Sequence, residues 1–143
     1  MLTRATWQHD MEFKVDFPTG ESLTLTSIPK EERPGPGPSP VEAIQAAVAG
    51  CTGMDVVHIL GKMRKTLTSL QIEVDATRRE EEPRIYTHLE ILYHLEGPDL
   101  DAASVQRAVT LSEEKYCSVS AMLRPTVEIS SRIELNGEWI ETG

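Results

Sequence analysis

Residues 39–60 read Ser-Pro-Val-Glu-Ala-Ile-Gln-Ala-Ala-Val-Ala-Gly-Cys-Thr-Gly-Met-Asp-Val-Val-His-Ile-Leu, and this stretch decides the fold. Ser39 suits an N-cap, Pro40 the first helical position, and Glu42, three residues after Ser39, completes a capping box. A helix is therefore predicted from Val41 to about Lys65. Ile44, Ala46, Ala47, Val48, Ala49, Val56, Val57, Ile59 and Leu60 spread apolar groups all round the wheel before Gly61-Lys62-Met63-Arg64-Lys65 turns polar. Basic residues at that end suit the negative pole of the helix dipole. A helix that is apolar on every side has to be covered on every side, and a chain of 143 residues is too short to do this with its own sheet. The expected cover is a second copy of the chain, in a homodimer.

Upstream, residues 29–40 carry proline at alternate positions near their end, which forbids helix and removes ladder donors, so a stiff loop is expected there. Before it, Met11, Phe13, Val15 and Phe17 alternate with Glu12, Lys14 and Asp16, and a Pro-Thr-Gly-Glu turn leads into Leu23-Thr24-Leu25-Thr26. This reads as a meander with one buried face. Downstream, Ile72, Val74 and Ala76 alternate with acids, and after a polar turn at 78–83, Ile85, Thr87, Leu89, Ile91, Tyr93 and Leu95 alternate in their turn, as an antiparallel hairpin. Asp99 or Asp101 can cap a second helix with the stripe Val105, Ala108, Val109, Ser112, Tyr116 and Val119, ending before Pro125. Val127, Ile129, Ser131, Ile133 and Leu135 form a last alternating strand, and Asn136-Gly137 turns tightly into Glu138-Trp139-Ile140. The expected fold is a single α+β domain, residues 1–143, with antiparallel sheet.

Composition narrows the function. An apolar fraction of 39% with 26% charged residues is that of a folded protein. A net charge of −9 repels phosphate backbones and anionic membranes, so neither nucleic acid nor membrane is an expected partner. No apolar run approaches the roughly 20 residues of a membrane span, and the N-terminal MLTRATWQHD has no secretory core, so a cytoplasmic location is expected. Two cysteines 66 residues apart make neither a disulfide framework nor a zinc pattern.

Cys51 lies about three turns into the first helix between Gly50 and Gly53, which each cost roughly 1 kcal/mol against alanine. Close approach of another backbone and a substrate pocket both account for such a pair. Ile44, Val48, Cys51, Asp55 and His58 share one stripe, which raises a Cys-His-Asp hydrolase. Seven residues at 1.5 Å rise put His58 about 10 Å from Cys51, too far for the hydrogen bond a nucleophile and base need. Asp55, one turn on, opposes a thiolate rather than favouring it. Any activating cation has to come from elsewhere; His9, His88 and His94 are bases on other segments. Cys117 falls roughly 120° from the apolar stripe on an unbroken second helix, but Ser118 or Ser120 can cap a fresh turn, and a break there redirects the thiol inward.

The 38–57 segment resembles the first-cysteine helix of the OsmC/Ohr superfamily, and Ala-Val-Thr-Leu-Ser-Glu-Glu-Lys-Tyr-Cys-Ser-Val at 108–119 resembles its second-cysteine helix. The order of elements agrees along nearly the whole chain, closest to the OsmC-like branch. The resemblance implies curled sheets around two central buried helices in an intertwined homodimer. It also implies a hydroperoxide reductase in which Cys51 is peroxidatic and Cys117 resolving, with no cofactor beyond an external dithiol reductant. In Ohr proper, a carboxylate ten residues before the first cysteine holds an activating arginine from the turn between the first two strands. Here that position is Val41, Glu42 lies nine before, and the turn carries Gln8-His9-Asp10; Arg33 is the candidate substitute. A dimer that kept the fold but binds a small apolar ligand between subunits is the alternative reading.

Overall fold

The structure, a computed structural model, describes residues 1–27 and 37–142, so most of the proline-rich segment and Arg33 lie outside the described residues. Two compact units are present, Met1–Ile44 and Gln45–Gly143. The division falls within the first helix.

The first unit holds three antiparallel strands in sequence order, β1 (Arg4–His9), β2 (Glu12–Asp16) and β3 (Ser22–Thr26). The predicted turn closes with Gly20 at φ 93°, and its amide donates to Phe17 O at 3.0 Å. Of the face expected to be buried, only Val15 is; Met11 is 62% exposed and Phe13 and Phe17 remain partly open. A sheet of three short strands has too little area to cover its own apolar face.

Helix α1 (Pro40–Lys62) opens as predicted: Glu42 N donates to Ser39 Oγ and Ser39 N donates to Glu42 Oε1, each at 3.2 Å. It ends before Lys65 because Arg64 takes φ 59° and the Lys65 amide turns back to Leu60 O at 3.0 Å. By length and composition alone α1 is apolar enough to cross a membrane, contrary to the expectation that no apolar run is long enough, since its few charged residues do not lower its mean hydropathy sufficiently. In the second unit, however, Val48, Thr52, Val56, Ile59 and Leu60 form a buried stripe. On the opposite stripe Ala46, Ala47, Met54 and Val57 are exposed, Met54 by 75% and Val57 by 52%. The helix is thus covered on one side, and the all-round apolar pattern leaves the other uncovered.

The second unit's sheet runs β4 (Ser69–Arg78), β5 (Tyr86–Glu96), β6 (Glu128–Leu135), β7 (Glu138–Ile140). The β4–β5 hairpin is antiparallel as expected, with one phase error. Its register shifts between Thr77 and Arg78, so Tyr86 rather than Thr87 points inward and Ile85 is 44% exposed. An extra residue in one strand reverses which side chains face the core. From Leu89 onward the predicted set holds: Leu89, Ile91, Tyr93 and Leu95 are buried, with Ile133 from β6. β6 pairs with β5 in parallel, Leu89 opposite Ile129, which departs from a wholly antiparallel sheet. The helical segment between them is the crossover that makes a parallel pair possible. Asn136 (φ 49°) and Gly137 (φ 86°) form the two-residue turn into β7.

His94 on β5 stands across three strands, with Nδ1 3.1 Å from Glu134 Oε1 and Nε2 2.5 Å from Glu73 Oε1. The Glu134 hydrogen bond, against a smaller opposing effect of burial, and then Glu73 raise its pKa above the ordinary 6.5. A raised histidine pKa contributes stability in full below its unfolded value and loses it as pH climbs through the folded value. Tm is therefore expected to fall from about pH 6.5 upward. His94→Gln should flatten that fall; superimposable profiles of the two proteins would show that the bridge contributes nothing.

Candidate functional site

The second helix, α2 (Ala102–Leu111), is capped by Asp101, whose carboxylate accepts from Ser104 N at 3.2 Å. Asp99, the other candidate cap, accepts from Thr66 N at 2.7 Å instead. At Ser112 the helix widens into one π-helical turn, Ser112–Tyr116, closed by Cys117 N donating to Ser112 O at 2.7 Å. Cys117 then leaves helical geometry (φ −74°, ψ 102°) and begins α3 (Ser118–Leu123). The expected break is present, and Cys117 is only 2% exposed. Its cap is not a serine hydroxyl: Cys117 Sγ accepts from Ser120 N at 3.4 Å. Ser120 Oγ is buried and unpartnered among the described residues.

This break carries Cys117 to Cys51. The ligand atoms of Cys51, Asp55 and Cys117 all lie within 4.8 Å of one another, and both thiols are free. Ser112 Oγ donates to Asp55 Oδ2 at 2.8 Å, fixing the acid at the edge of the pair. Burial raises the Cys51 thiol pKa above its ordinary 9.0, the Cys117 thiol adds to the rise, the Val119 backbone amide opposes it, and Asp55 adds again. The direction expected for Asp55 from the helix spacing is thus met, and no cation is among the strongest influences on Cys51. A β-carbon added to Gly53 would make an ordinary contact, 3.4 Å from Ile72 Cγ1, and one on Gly50 would meet nothing. Among the described residues, no close backbone requires either glycine.

Behind the thiols lies a polar group that sequence reasoning did not single out. The fully buried Tyr93 donates its hydroxyl to Glu113 Oε1 at 3.1 Å, and Ser131 Oγ donates to Glu113 Oε2 at 3.2 Å. Burial pushes the Glu113 pKa up, against these two donations and Arg124. Burial and the Glu113 charge push Tyr93 up as well. Ser131, the one hydroxyl in the alternating set Val127, Ile129, Ser131, Ile133 and Leu135, was the available signal for this cluster.

The other predicted residues go elsewhere. Glu42 is engaged in the capping box with Ser39. His9 lies beside Asp10 and Glu12, His88 Nε2 is 3.0 Å from Ser130 Oγ, and His94 sits between its two carboxylates. Asp55, His58, Ile59, Lys62, Met63, Leu111 and Tyr116 line a groove of about 460 Å³ one turn along α1 from Cys51. Its walls are mostly apolar, with Asp55 at the thiol end.

The family model described as OsmC-like protein matches residues 33–132. Protein YhfA of Escherichia coli strain K12 is 36% identical over 135 residues, 94% of this chain and 98% of that protein. Among solved structures, a hypothetical protein from Aquifex aeolicus VF5 is 30% identical with a TM-score of 0.79, covering 94% of this chain and 96% of its own. The organic hydroperoxide resistance protein OhrB of Bacillus subtilis shares the fold at 16% identity and a TM-score of 0.63, over 94% of this chain and 98% of that one.

Proposed function

We propose, from the premise that this chain belongs to the OsmC-like protein family, that it is a cytoplasmic thiol-dependent peroxidase acting on small organic hydroperoxides. The observation that carries this reading is the meeting of Cys51 and Cys117, whose sulfurs stand within 4.8 Å of each other although 66 residues separate them. Cys51 as thiolate attacks the peroxide oxygen; the S–O bond forms, the O–O bond breaks, and the alkoxide leaves as alcohol after taking a proton. The sulfenic acid is then attacked by Cys117, an S–S bond forms and water leaves. An external dithiol reduces the disulfide and is itself oxidised. No cofactor takes part in these steps. The groove beside Asp55 offers apolar walls to the organic group.

A homodimer is part of the reading. Ala46, Ala47, Gly50, Met54 and Val57 form one open, largely apolar stripe on α1, small enough at three positions for a second helix to approach closely. Sedimentation should show a dimer, and a monomer at micromolar concentration would remove this element.

A raised thiol pKa leaves little thiolate at neutral pH, so the fraction available rises about tenfold per pH unit below that pKa. Consumption of cumene hydroperoxide with a dithiol reductant is expected to climb accordingly between pH 7 and pH 9. A flat profile would mean that a cation outside the described residues already holds Cys51 ionised. Mild oxidation followed by mass spectrometry tests the pair directly: loss of two hydrogens mapped to a Cys51–Cys117 link is expected, and overoxidation of Cys51 alone contradicts it. Among the described residues no cation is one of the strongest influences on Cys51, which favours, as second reading, a dimer that binds a small apolar ligand without turnover.

A further inference from the structure

Cys51, Asp55 and Cys117 form a donor set as well as a redox pair. The first and second stand one turn apart on α1, the third is brought in by the π-helical turn, and all three ligand atoms fall within 4.8 Å of one another. In a tetrahedral zinc site, sulfurs about 2.3 Å from the metal lie about 3.8 Å apart, so the observed set needs to contract by only about 1 Å. We propose that the reduced protein binds one soft divalent cation of the zinc class between the Cys51 and Cys117 sulfurs and the Asp55 carboxylate.

Three further observations support this. Ser112 holds Asp55 Oδ2 at 2.8 Å and leaves Oδ1 for another partner, the arrangement by which an outer hydrogen bond orients a ligating carboxylate. Cys117 is fixed at backbone and side chain, through Ser112 O at 2.7 Å and Ser120 N at 3.4 Å. Asp55, moreover, has no evident use beside a nucleophilic thiol, since its charge opposes a second negative charge there; a dication reconciles all three. Two sulfur donors select a metal of the zinc class over magnesium or calcium. With three protein ligands, the fourth position stays open toward the groove that Asp55 lines.

This site needs only the three donors and does not rest on peroxidase activity. Each thiol gives up its proton to the solvent on binding, and the metal changes no oxidation state. Metal binding and disulfide formation therefore exclude each other, and a bound ion would keep both sulfurs from oxidation.

The test uses the full-length reduced protein under anaerobic conditions, with zinc measured after gel filtration and cobalt(II) as spectroscopic probe. One zinc per chain and an intense thiolate-to-cobalt absorption are expected. Cys51→Ser and Cys117→Ser should each abolish retention, and Asp55→Asn should weaken it while the sulfur absorption persists. Wild-type protein with both thiols alkylated should bind none. Absence of the thiolate-to-cobalt absorption from wild-type protein overturns the proposal whatever the variants do, as does equal zinc retention by the reduced and the alkylated protein.

Discussion

Replacing Cys51 by serine is expected to lower peroxide-dependent oxidation of a dithiol by on the order of a thousandfold or more. A serine hydroxyl stays protonated and is a poor nucleophile toward an O–O bond, and no other cysteine can substitute, because Cys117 is buried and serves as the cap of α3. Cys117→Ser should behave differently: the first turnover persists, the sulfenic acid accumulates, and continued peroxide carries Cys51 to the sulfinic and sulfonic states. Steady-state assays with cumene hydroperoxide, paired with mass spectra of the intact protein, read both effects. If wild type and Cys51→Ser consume peroxide equally slowly, the peroxidase reading fails and ligand binding becomes the better account of the fold.

Inserting one alanine after Glu114 should separate the two thiols without removing either. A π-helical turn holds one residue more than an α-helical turn, and Ser112–Tyr116 already carries that extra residue, which keeps Cys117 in phase with the buried stripe of α2. Glu114 is exposed, and none of the described hydrogen bonds depends on its side chain. A second extra residue turns the following residues by about 100° and swings Cys117 off the core. A disulfide tolerates little displacement of its partners, so the yield of the Cys51–Cys117 link should drop on the order of tenfold or more. Glu114→Ala keeps the turn and should keep the link. An unchanged yield in the insertion would show that something other than the π turn aims Cys117.

How far these features could be read beforehand depended on whether they were local. The start of α1 was legible because the capping box is written in four adjacent residues, and the Asn136-Gly137 turn because both positions take positive φ, which few residue types tolerate. The choice between Asp99 and Asp101 as cap was not, since both have the right chemistry and only the position of Thr66 decides. A strand that is half-buried alternates in the same way whether its neighbour is parallel or antiparallel, so the β5–β6 pairing left no mark on residues 127–135. The bulge near Thr87 left none either, and it cost the assignment of Ile85 and Tyr86. At the site, Cys51 and Asp55 were evident from helical spacing. Glu113 and Tyr93 were not, because an acid in a Glu-Glu-Lys run reads as surface, and only the π turn takes it inward to Tyr93 and Ser131.

The parallel crossover also bears on when the protein becomes competent. Leu89 pairs with Ile129 across 40 residues of chain, and everything between, Cys117 included, is the loop that this pairing closes. Closing it costs conformational entropy that is recovered only once the distant strands meet, which makes such contacts late events in folding. A chain still emerging from the ribosome, with β6 not yet made, already carries both sulfurs but lacks the sheet edge that anchors the loop. Assembly of the thiol pair and completion of this sheet are for this reason one cooperative event, and a chain without β6 carries both sulfurs with nothing to hold them together.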